Sequence, residues 1–217
     1  MSIYQLLEEE VMATRPGFYI DEGKVQMRNA NFEWAGGFAV SQKQKNVKRL
    51  HSALGKSCLE ISTKSLNPLG YKLSAYNLKL KGFTLENIFQ SSKVFENGGP
   101  YLDLLNVNPT EAKRDERLKT SGKIIFFYFE NYNWELIPRT AFYDYIYCKA
   151  VKESIYIDEL KEIVKYEYFT DIEFNPNKSI NTQARAIAIV KLLLKMFGEI
   201  PELNPEEFVQ FHKRFVI

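Results

Sequence analysis

Cysteine and histidine are scarce in this chain, and their scarcity limits its chemistry. The 217 residues contain two cysteines, Cys58 and Cys148, and two histidines, His51 and His212. These four residues lack metal-ligand spacing and the cysteines are too few for a disulfide framework, so we expect no metal and a reducing, cytoplasmic environment. A Ser-His-Asp or Cys-His arrangement is hard to build, and both histidines are predicted to be ordinary surface residues.

Long apolar runs and glycine-rich phosphate loops are also missing. No stretch approaches the roughly 20 apolar residues of a transmembrane helix. The first ten residues are acidic, unlike the basic-then-apolar pattern of an export signal. The sequence contains neither a G-x-G-x-x-G fingerprint nor a P-loop. We therefore expect a soluble protein with no membrane contact and no cofactor.

Charge of neither sign dominates the sequence. The 29 basic and 27 acidic side chains leave a formal net charge of +2, so net charge does not indicate nucleic acid, although local basic clusters could contact phosphate. An apolar content of 45% with 14% aromatic residues allows a sizeable core. Residues 1–217 are predicted to form one domain, with two smaller domains as the alternative.

Helix caps and runs of β-branched or aromatic residues predict a helix-rich α+β fold with a small sheet or hairpins. Predicted helices cover 2–14, 41–54, a segment that begins at Thr84 and stops at 97–100, 108–120, 139–152, 158–166 and 181–197. Predicted strands cover 58–63, 73–80 and 124–129, with hairpins at 21–23 and at 131–137. Because strands and helices do not alternate regularly, a doubly wound nucleotide fold is disfavoured.

A polar stripe follows the predicted cap at Thr84. At 3.6 residues per turn, Glu86, Gln90 and Lys93 fall on one face of the helix. Glu86 and Lys93 would be two turns, roughly 10 Å, apart, and would therefore flank a substrate rather than touch. The alternative is a charged face that only meets solvent.

Carboxylates and lysines without a usable histidine suit the cleavage of a glycosidic bond. An acid can protonate the leaving group while a nucleophile or base acts at the anomeric carbon. A lysine whose pKa is lowered by burial or by nearby cations can instead attack a ribose C1 and hold the opened sugar as a Schiff base. Lys93 could be this nucleophile and Glu86 could transfer protons or accept a ribose hydroxyl, roles that the family resemblance described next also implies.

Four sequence blocks, in order, resemble the NADAR superfamily, the YbiA-like N-glycosidases. The run Leu-Ser-Ala-Tyr-Asn at 73–77 resembles the family's L-S-N-F, and 86–93 resembles E-H-x-x-Q-x-x-K. Residues 111–114 are similar to the A-K-x-x-G-R helix, 134–139 to W-x-x-x-R, and Asp171 with Asn181 to D-x-x-W-G…N-x-L-G. Asn87 replaces the family histidine, which indicates a divergent branch. The resemblance marks 60–190 as a family-like core and leaves 1–58 as an N-terminal cover.

The resemblance implies an N-glycosidase that acts on a ribosylated base through a lysine Schiff base. The expected substrate is ADP-ribose attached to guanine in nucleic acid, above all DNA, and the expected role is that of an antitoxin against a DarT-type ADP-ribosyltransferase. One alternative is hydrolysis of a ribosylaminouracil-type intermediate of riboflavin synthesis. Another is a non-catalytic module that binds ADP-ribosylated nucleic acid or a toxin protein.

Polar side chains in these blocks are candidates for holding the substrate. Gln90 lies within the stripe itself. Asn77 could hydrogen-bond a base or ribose, or could form a turn. Asp171 could orient the ribose or Lys93. Asn181 is predicted to cap the last helix, whether or not its amide also reaches the ligand.

Cationic and aromatic candidates complete the predicted site. Arg114 and Arg117, with Lys113, lie at helical spacing and could meet a pyrophosphate, because guanidinium groups match phosphate oxygens; a solvated basic face is the alternative. Trp134 could stack on a base or belong to the core.

Overall fold

A computed structural model describes residues 11–177 and 179–216. The strands are β1 (Val11–Asp21), β2 (Lys24–Trp34), β3 (Cys58–Glu60), β4 (Lys79–Leu80), β5 (Phe83–Thr84), β6 (Lys93–Phe95), β7 (Ile124–Phe129), β8 (Tyr132–Trp134) and β9 (Tyr168–Thr170). The helices are α1 (Val40–Leu54), α2 (Pro68–Lys72), α3 (Leu85–Ser91), α4 (Pro109–Arg114), α5 (Arg117–Thr120), α6 (Ala141–Ser154), α7 (Ile157–Lys165), α8 (Gln183–Phe197) and α9 (Pro205–Phe215), with a 3₁₀ helix at Leu102–Asn106. These elements confirm the predicted helix-rich α+β class.

The largest sheet among the described residues has the strand order β2-β1-β9-β3. β1 and β2 form a long antiparallel hairpin, as predicted, with Glu22 and Gly23 at positive φ in its turn. β3 runs parallel to β9, with Glu60 opposite Thr170. Because parallel strands end at the same edge of a sheet, Asp171 follows β9 close to Glu60.

The core is built around α6 and α8, which pack on each other and are surrounded by the sheets and the remaining helices. Ile146, Val151, Ile187 and Val190 are completely buried at this contact. Burial of each such side chain contributes roughly 1.5–3 kcal/mol before the entropy of ordering is counted. The two helices therefore form the scaffold on which the surrounding strands and shorter helices rest.

A buried ionic network ties α6, α8 and α9 together. Asp144 accepts hydrogen bonds from Arg185 Nε at 3.1 Å and from His212 Nε2 at 3.0 Å. Burial alone would raise the pKa of Asp144, but Arg185 and His212 outweigh it and the pKa is lowered. His212 is only 4% exposed, so its predicted surface position is wrong: α9, which the sequence reading omitted, folds it against α6.

His51 also departs from the predicted surface setting. It is half-buried, its Nε2 lies 2.8 Å from Thr170 Oγ1, and burial lowers its pKa to about 4. Its ring nitrogen is thus occupied in joining α1 to β9. The prediction of two ordinary surface histidines is therefore wrong for both.

Four predicted elements differ from the structure; one of them, the helix that begins at Thr84, is described with the candidate active site. Residues 11–14 of the predicted first helix lie in β1, because pairing with 31–34 of β2 overrides the local helical pattern, and residues 1–10 lie outside the described range. The predicted strand at 73–80 is mostly a turn after α2, where the N–H of Leu78 donates to the carbonyl of Ser74. The predicted helix at 108–120 is broken at Asp115, whose extended backbone separates α4 from α5.

The other predicted elements are confirmed with shifted ends. The capping box on Asn108 and Glu111 begins α4, and Thr84 caps α3 as expected. The strand at 124–129 matches β7, and α1, α6, α7 and α8 lie within about a turn of their predicted bounds. Among the described helices, none combines the length and apolarity that crossing a bilayer would require.

Candidate active site

The polar stripe of Glu86, Gln90 and Lys93 is divided between a helix and a strand. Thr84 starts α3 by accepting from the N–H of Asn87 at 3.3 Å, and the helix ends at Ser91. Lys93 then begins β6, where it pairs with Phe127 of β7. The prediction that one helix carries all three residues is therefore wrong, because strand pairing takes over before Lys93.

Gln90 nevertheless joins the other two side chains. Lys93 Nζ donates to Gln90 Oε1 at 2.5 Å, and Gln90 Nε2 donates to Glu86 Oε1 at 2.8 Å. The amide thus spans the space between the amine and the carboxylate. Because the amide oxygen of Gln90 accepts from Lys93 and its N–H donates to Glu86, Gln90 fixes the position of Lys93 relative to Glu86.

The environment of Lys93 increases the fraction of its amine that is neutral. The amine is largely buried, 4.8 Å from the centre of the Phe89 ring. Burial lowers the pKa of Lys93 to about 8; the Glu86 carboxylate opposes this and the Lys113 cation assists it. At pH ~7.5 about a quarter of such amines are neutral, against roughly one in a thousand at the ordinary pKa of 10.5.

Backbone packing also fixes Lys93. Gly99 adopts a φ of 89°, and a Cβ at this position would lie 2.3 Å from the carbonyl oxygen of Lys93. Only glycine allows the chain after β6 to approach the strand so closely. The Asn-Gly-Gly-Pro segment at 97–100, predicted as a helix stop, therefore supports the Lys93 backbone instead.

Glu86 is buried beside a second lysine. Its backbone N–H donates to the carbonyl of Ala75 at 3.0 Å, and Lys113 Nζ of α4 lies 3.7 Å from its Oε1. Lys113 also lies 5.5 Å from the centre of the Tyr76 ring. Burial acts to lower the pKa of Lys113, but Glu86 and Tyr76 outweigh it and the pKa is raised. Lys113 therefore stays charged and partly neutralises Glu86.

Asp171 is linked to Glu86 through Gln183. We call this group of side chains the cluster: Glu86, Gln90, Lys93, Lys113, Tyr143, Asp171 and Gln183. Gln183 Nε2 at the start of α8 donates to Asp171 Oδ2 at 3.1 Å, while Gln183 Oε1 accepts from the N–H of Ala75 at 2.6 Å. Since the carbonyl of Ala75 binds the N–H of Glu86, one chain of hydrogen bonds runs from Asp171 to Glu86. Gln183 thereby joins the Asp171 carboxylate to the backbone at the start of α3.

Asp171 and Glu60 form a pair of buried acids. Burial raises the pKa of Asp171 to about 6. Burial, followed by the charge of Asp171, raises the pKa of Glu60 to about 7, although Glu60 accepts hydrogen bonds from Ser62, Thr170 and the N–H of Ile172. Near neutral pH this pair can hold a proton next to the cluster.

Tyr143 of α6 is close enough to Glu86 and Asp171 for both charges to act on its hydroxyl. Its ring packs edge-on against Phe89 at 5.0 Å. Burial raises its pKa, and the charges of Tyr147, Glu86 and Asp171 raise it further, so the hydroxyl stays protonated. The cluster can thus provide a neutral amine, carboxyl groups, a cation and a hydroxyl donor. Within residues 11–177 and 179–216, no three His, Cys, Asp or Glu side chains are grouped to hold a metal ion.

A comparison with family models assigns the chain. The model of the DarT1-associated NADAR antitoxins matches residues 13–216. The chain belongs to this family. No curated protein gives a significant match. The NADAR match reaches well beyond the resemblance at 60–190, since it includes the β1–β2 hairpin, α1 and α9.

Two of the predicted substrate contacts lie at the edge of this NADAR cluster. Asn77 donates to the carbonyl of Tyr71 and to Ser74 Oγ, both at 2.9 Å, and so acts as a turn former. Arg114 is exposed on α4, and its charge helps to counter the upward shift in the pKa of Tyr76. Both residues border the cluster without joining its hydrogen-bond chain.

Arg117 and Trp134 are used away from the cluster, and Asn181 does not have its predicted role as a cap. Arg117 binds Asp103 and Asp115, and its guanidinium lies over Tyr101. Trp134 is 1% exposed and packs in the aromatic core, so it cannot stack on a base. Asn181 does not cap α8: Thr182 occupies the N-cap position, and Asn181 Oδ1 is buried without a partner among the described residues.

Sequence reasoning missed Tyr143 and Gln183 as members of the cluster. Tyr143 lies outside the four blocks, and Gln183 stands at the leucine position of N-x-L-G, where the pattern gives no sign of an amide that binds Asp171. The helical spacing of Lys113 predicts a phosphate contact and does not indicate its ion pair with Glu86. A separate groove of about 160 Å³, lined by α3, the 3₁₀ helix and β7, contains none of the predicted site residues.

Proposed function

We propose that this NADAR antitoxin is an N-glycosidase that removes ADP-ribose from a guanine base in nucleic acid, with Lys93 as the nucleophile. The observation that supports it most strongly is the buried amine of Lys93, held by Gln90 beside Glu86 with a pKa of about 8. The family description associates these antitoxins with DarT1. The product of that transferase is therefore the substrate to test first.

The reaction begins with the neutral amine. Lys93 Nζ forms a bond to ribose C1 while the bond from C1 to the base breaks. The Glu86 carboxylate accepts the extra proton from the attached nitrogen and passes it to the departing base. Transfer of the remaining N–H proton to the ring oxygen opens the sugar and leaves a C=N bond to Lys93.

Water completes the cycle. Its addition to the C=N bond regenerates the amine and releases ADP-ribose in its aldehyde form, so that one water molecule is consumed for each base released. In this proposal the Asp171 carboxyl and the Tyr143 hydroxyl hydrogen-bond ribose hydroxyls. Lys113 and Arg114, at the exposed rim on α4, supply charge for the pyrophosphate.

Release of ADP-ribose from DNA modified on guanine tests the proposal. The wild type should release it, and Lys93→Ala should lose most of this activity. Lys93→Arg is the matched control, since it keeps the positive charge but cannot form a Schiff base. Lys93→Ala releasing ADP-ribose at the wild-type rate would refute the lysine mechanism. Binding of the modified DNA by the wild type without release would instead indicate a non-catalytic module.

A further inference from the structure

α1 carries an unusual concentration of positive charge. Its fifteen residues include four cations and no acid, although the whole chain is nearly balanced. Lys43 and Arg49 are paired with carboxylates of Glu173 and Glu33. Lys45 and Lys48 are exposed one turn apart, and no described carboxylate forms an ion pair with either. Their charge is therefore available to an anionic partner.

Aromatic side chains lie at the N-terminal end of α1. Trp34, at the end of β2, is flanked by the Arg15 guanidinium at 5.0 Å and Lys43 Nζ at 5.2 Å from its ring centre. Phe38, in the loop that leads into α1, is fully exposed. Cations interleaved with aromatic rings are typical of proteins that neutralise phosphates and stack bases of single strands. We call Trp34, Phe38, Lys45 and Lys48 the α1 surface.

α1 itself packs against the segment that carries Asp171. Lys43 Nζ lies 3.4 Å from Glu173 Oε1, and the N–H of Glu173 donates to Asp171 Oδ1 at 3.1 Å. His51, further along α1, contacts Thr170, directly before Asp171. Lys45 and Lys48 project from the outer side of the same helix, so a strand that they hold would lie within about one helix diameter, roughly 10–12 Å, of this segment.

We infer that the α1 surface binds the single-stranded nucleic acid that flanks the modified guanine. Lys45 and Lys48 contact phosphates, and Phe38 stacks on a base. The inference rests on the proposed function for the presence of a modified base. The charge and the exposed ring by themselves predict that unmodified single-stranded DNA binds here, which can be measured separately from catalysis.

Fluorescence anisotropy with a short labelled single-stranded DNA tests the surface. Lys45→Glu/Lys48→Glu should weaken binding by roughly 25-fold at about 0.1 M salt, because each lost phosphate contact removes about 0.7 from the slope of log K against log salt. Phe38→Ala should weaken binding with little change in that slope. The matched control is Lys195→Glu/Lys213→Glu, which makes the same charge change at exposed positions on α8 and α9.

Release assays on two substrates complete the test. The α1 double variant should slow release of ADP-ribose from a modified oligonucleotide far more than release from a modified mononucleoside. Equal weakening of DNA binding by the α1 and control variants would overturn the inference. A wild type that binds no single-stranded DNA would also overturn it, and would indicate an acidic protein as the partner of the α1 surface. If neither substrate is hydrolysed, the proposed function fails while the anisotropy result still decides the surface.

Discussion

Burial of the Lys93 ammonium reduces the stability of the folded protein, and Lys93→Met tests that cost. The difference between a pKa of about 8 and the ordinary 10.5 corresponds to about 3 kcal/mol of unfavourable free energy for the charged amine. Methionine keeps the length of the side chain but loses the hydrogen bond to Gln90, worth about 1 kcal/mol. The variant should therefore be more stable than the wild type by about 2 kcal/mol at pH ~7.

The sign of the pH dependence makes this prediction specific. Below pH ~8 the amine is charged in both the folded and the unfolded chain, so the cost is fully present. Between pH ~8 and ~10.5 the folded protein has released the proton while the unfolded chain keeps it, so wild-type stability rises with pH relative to the variant. The advantage of Lys93→Met should shrink through this window and reverse near its upper end.

Urea unfolding of the two proteins at several pH values between about 7 and 10 measures this difference. Lys195→Met, at an exposed position of α8, is the control and should leave the stability within about 0.5 kcal/mol at every pH. A stability difference between Lys93→Met and wild type that does not change with pH would refute the lowered pKa. A variant less stable than wild type at pH ~7 would refute the cost of burial.

Three further changes test other parts of the account. Glu86→Gln removes a charge that raises the pKa of Lys93, so the midpoint of the pH profile of kcat/KM should move below about 8 while kcat falls roughly 10²–10⁴-fold. Gly99→Ala places a Cβ against the Lys93 carbonyl, and thermal unfolding should show a loss above about 1 kcal/mol together with reduced kcat. Asp144→Asn leaves the buried Arg185 without its carboxylate and should cost about 3–5 kcal/mol in urea unfolding.

For each of these three variants, one outcome would contradict the prediction. A kcat/KM midpoint that rises in Glu86→Gln would mean that its carboxylate does not act on Lys93. Wild-type stability in Gly99→Ala would show that the segment after β6 can move away from the strand. The pKa of Asp144 is lowered in the folded protein, so the wild type should be more stable than Asp144→Asn above pH ~4 and should lose this extra stability as the pH falls through that lowered pKa. A stability difference that does not change with pH would contradict the ionic network.

Local signals predicted the elements that begin at strong caps. Thr84 and Asn108 each accept a backbone hydrogen bond at the start of a helix, and β7 is rich in β-branched and aromatic residues. The end of α3 could not be read locally, because Lys93 leaves the helical face only through pairing with Phe127 across β6 and β7. The break at Asp115 is likewise a backbone feature inside an otherwise helical pattern.

The chemistry of the candidate site was only partly readable from the sequence. The spacing of Glu86, Gln90 and Lys93 predicts that they share one face, but their contact through the Gln90 amide depends on the turn into β6. Tyr143 and Gln183 reach the cluster through packing of α6 and α8, which no local pattern encodes. Trp134 illustrates the converse: an aromatic residue suited to stacking on a base is used by the core.

Trapping of the reaction intermediate tests the central role of Lys93 most directly. Modified guanine DNA is incubated with the wild type in the presence of borohydride, which reduces a C=N bond and fixes the sugar to the protein, and the adduct is located by mass spectrometry of peptides. The account predicts one ADP-ribose adduct on Lys93, absent from Lys93→Arg. Release of ADP-ribose by the wild type with no trapped adduct, or with an adduct on another lysine such as Lys113, would contradict it.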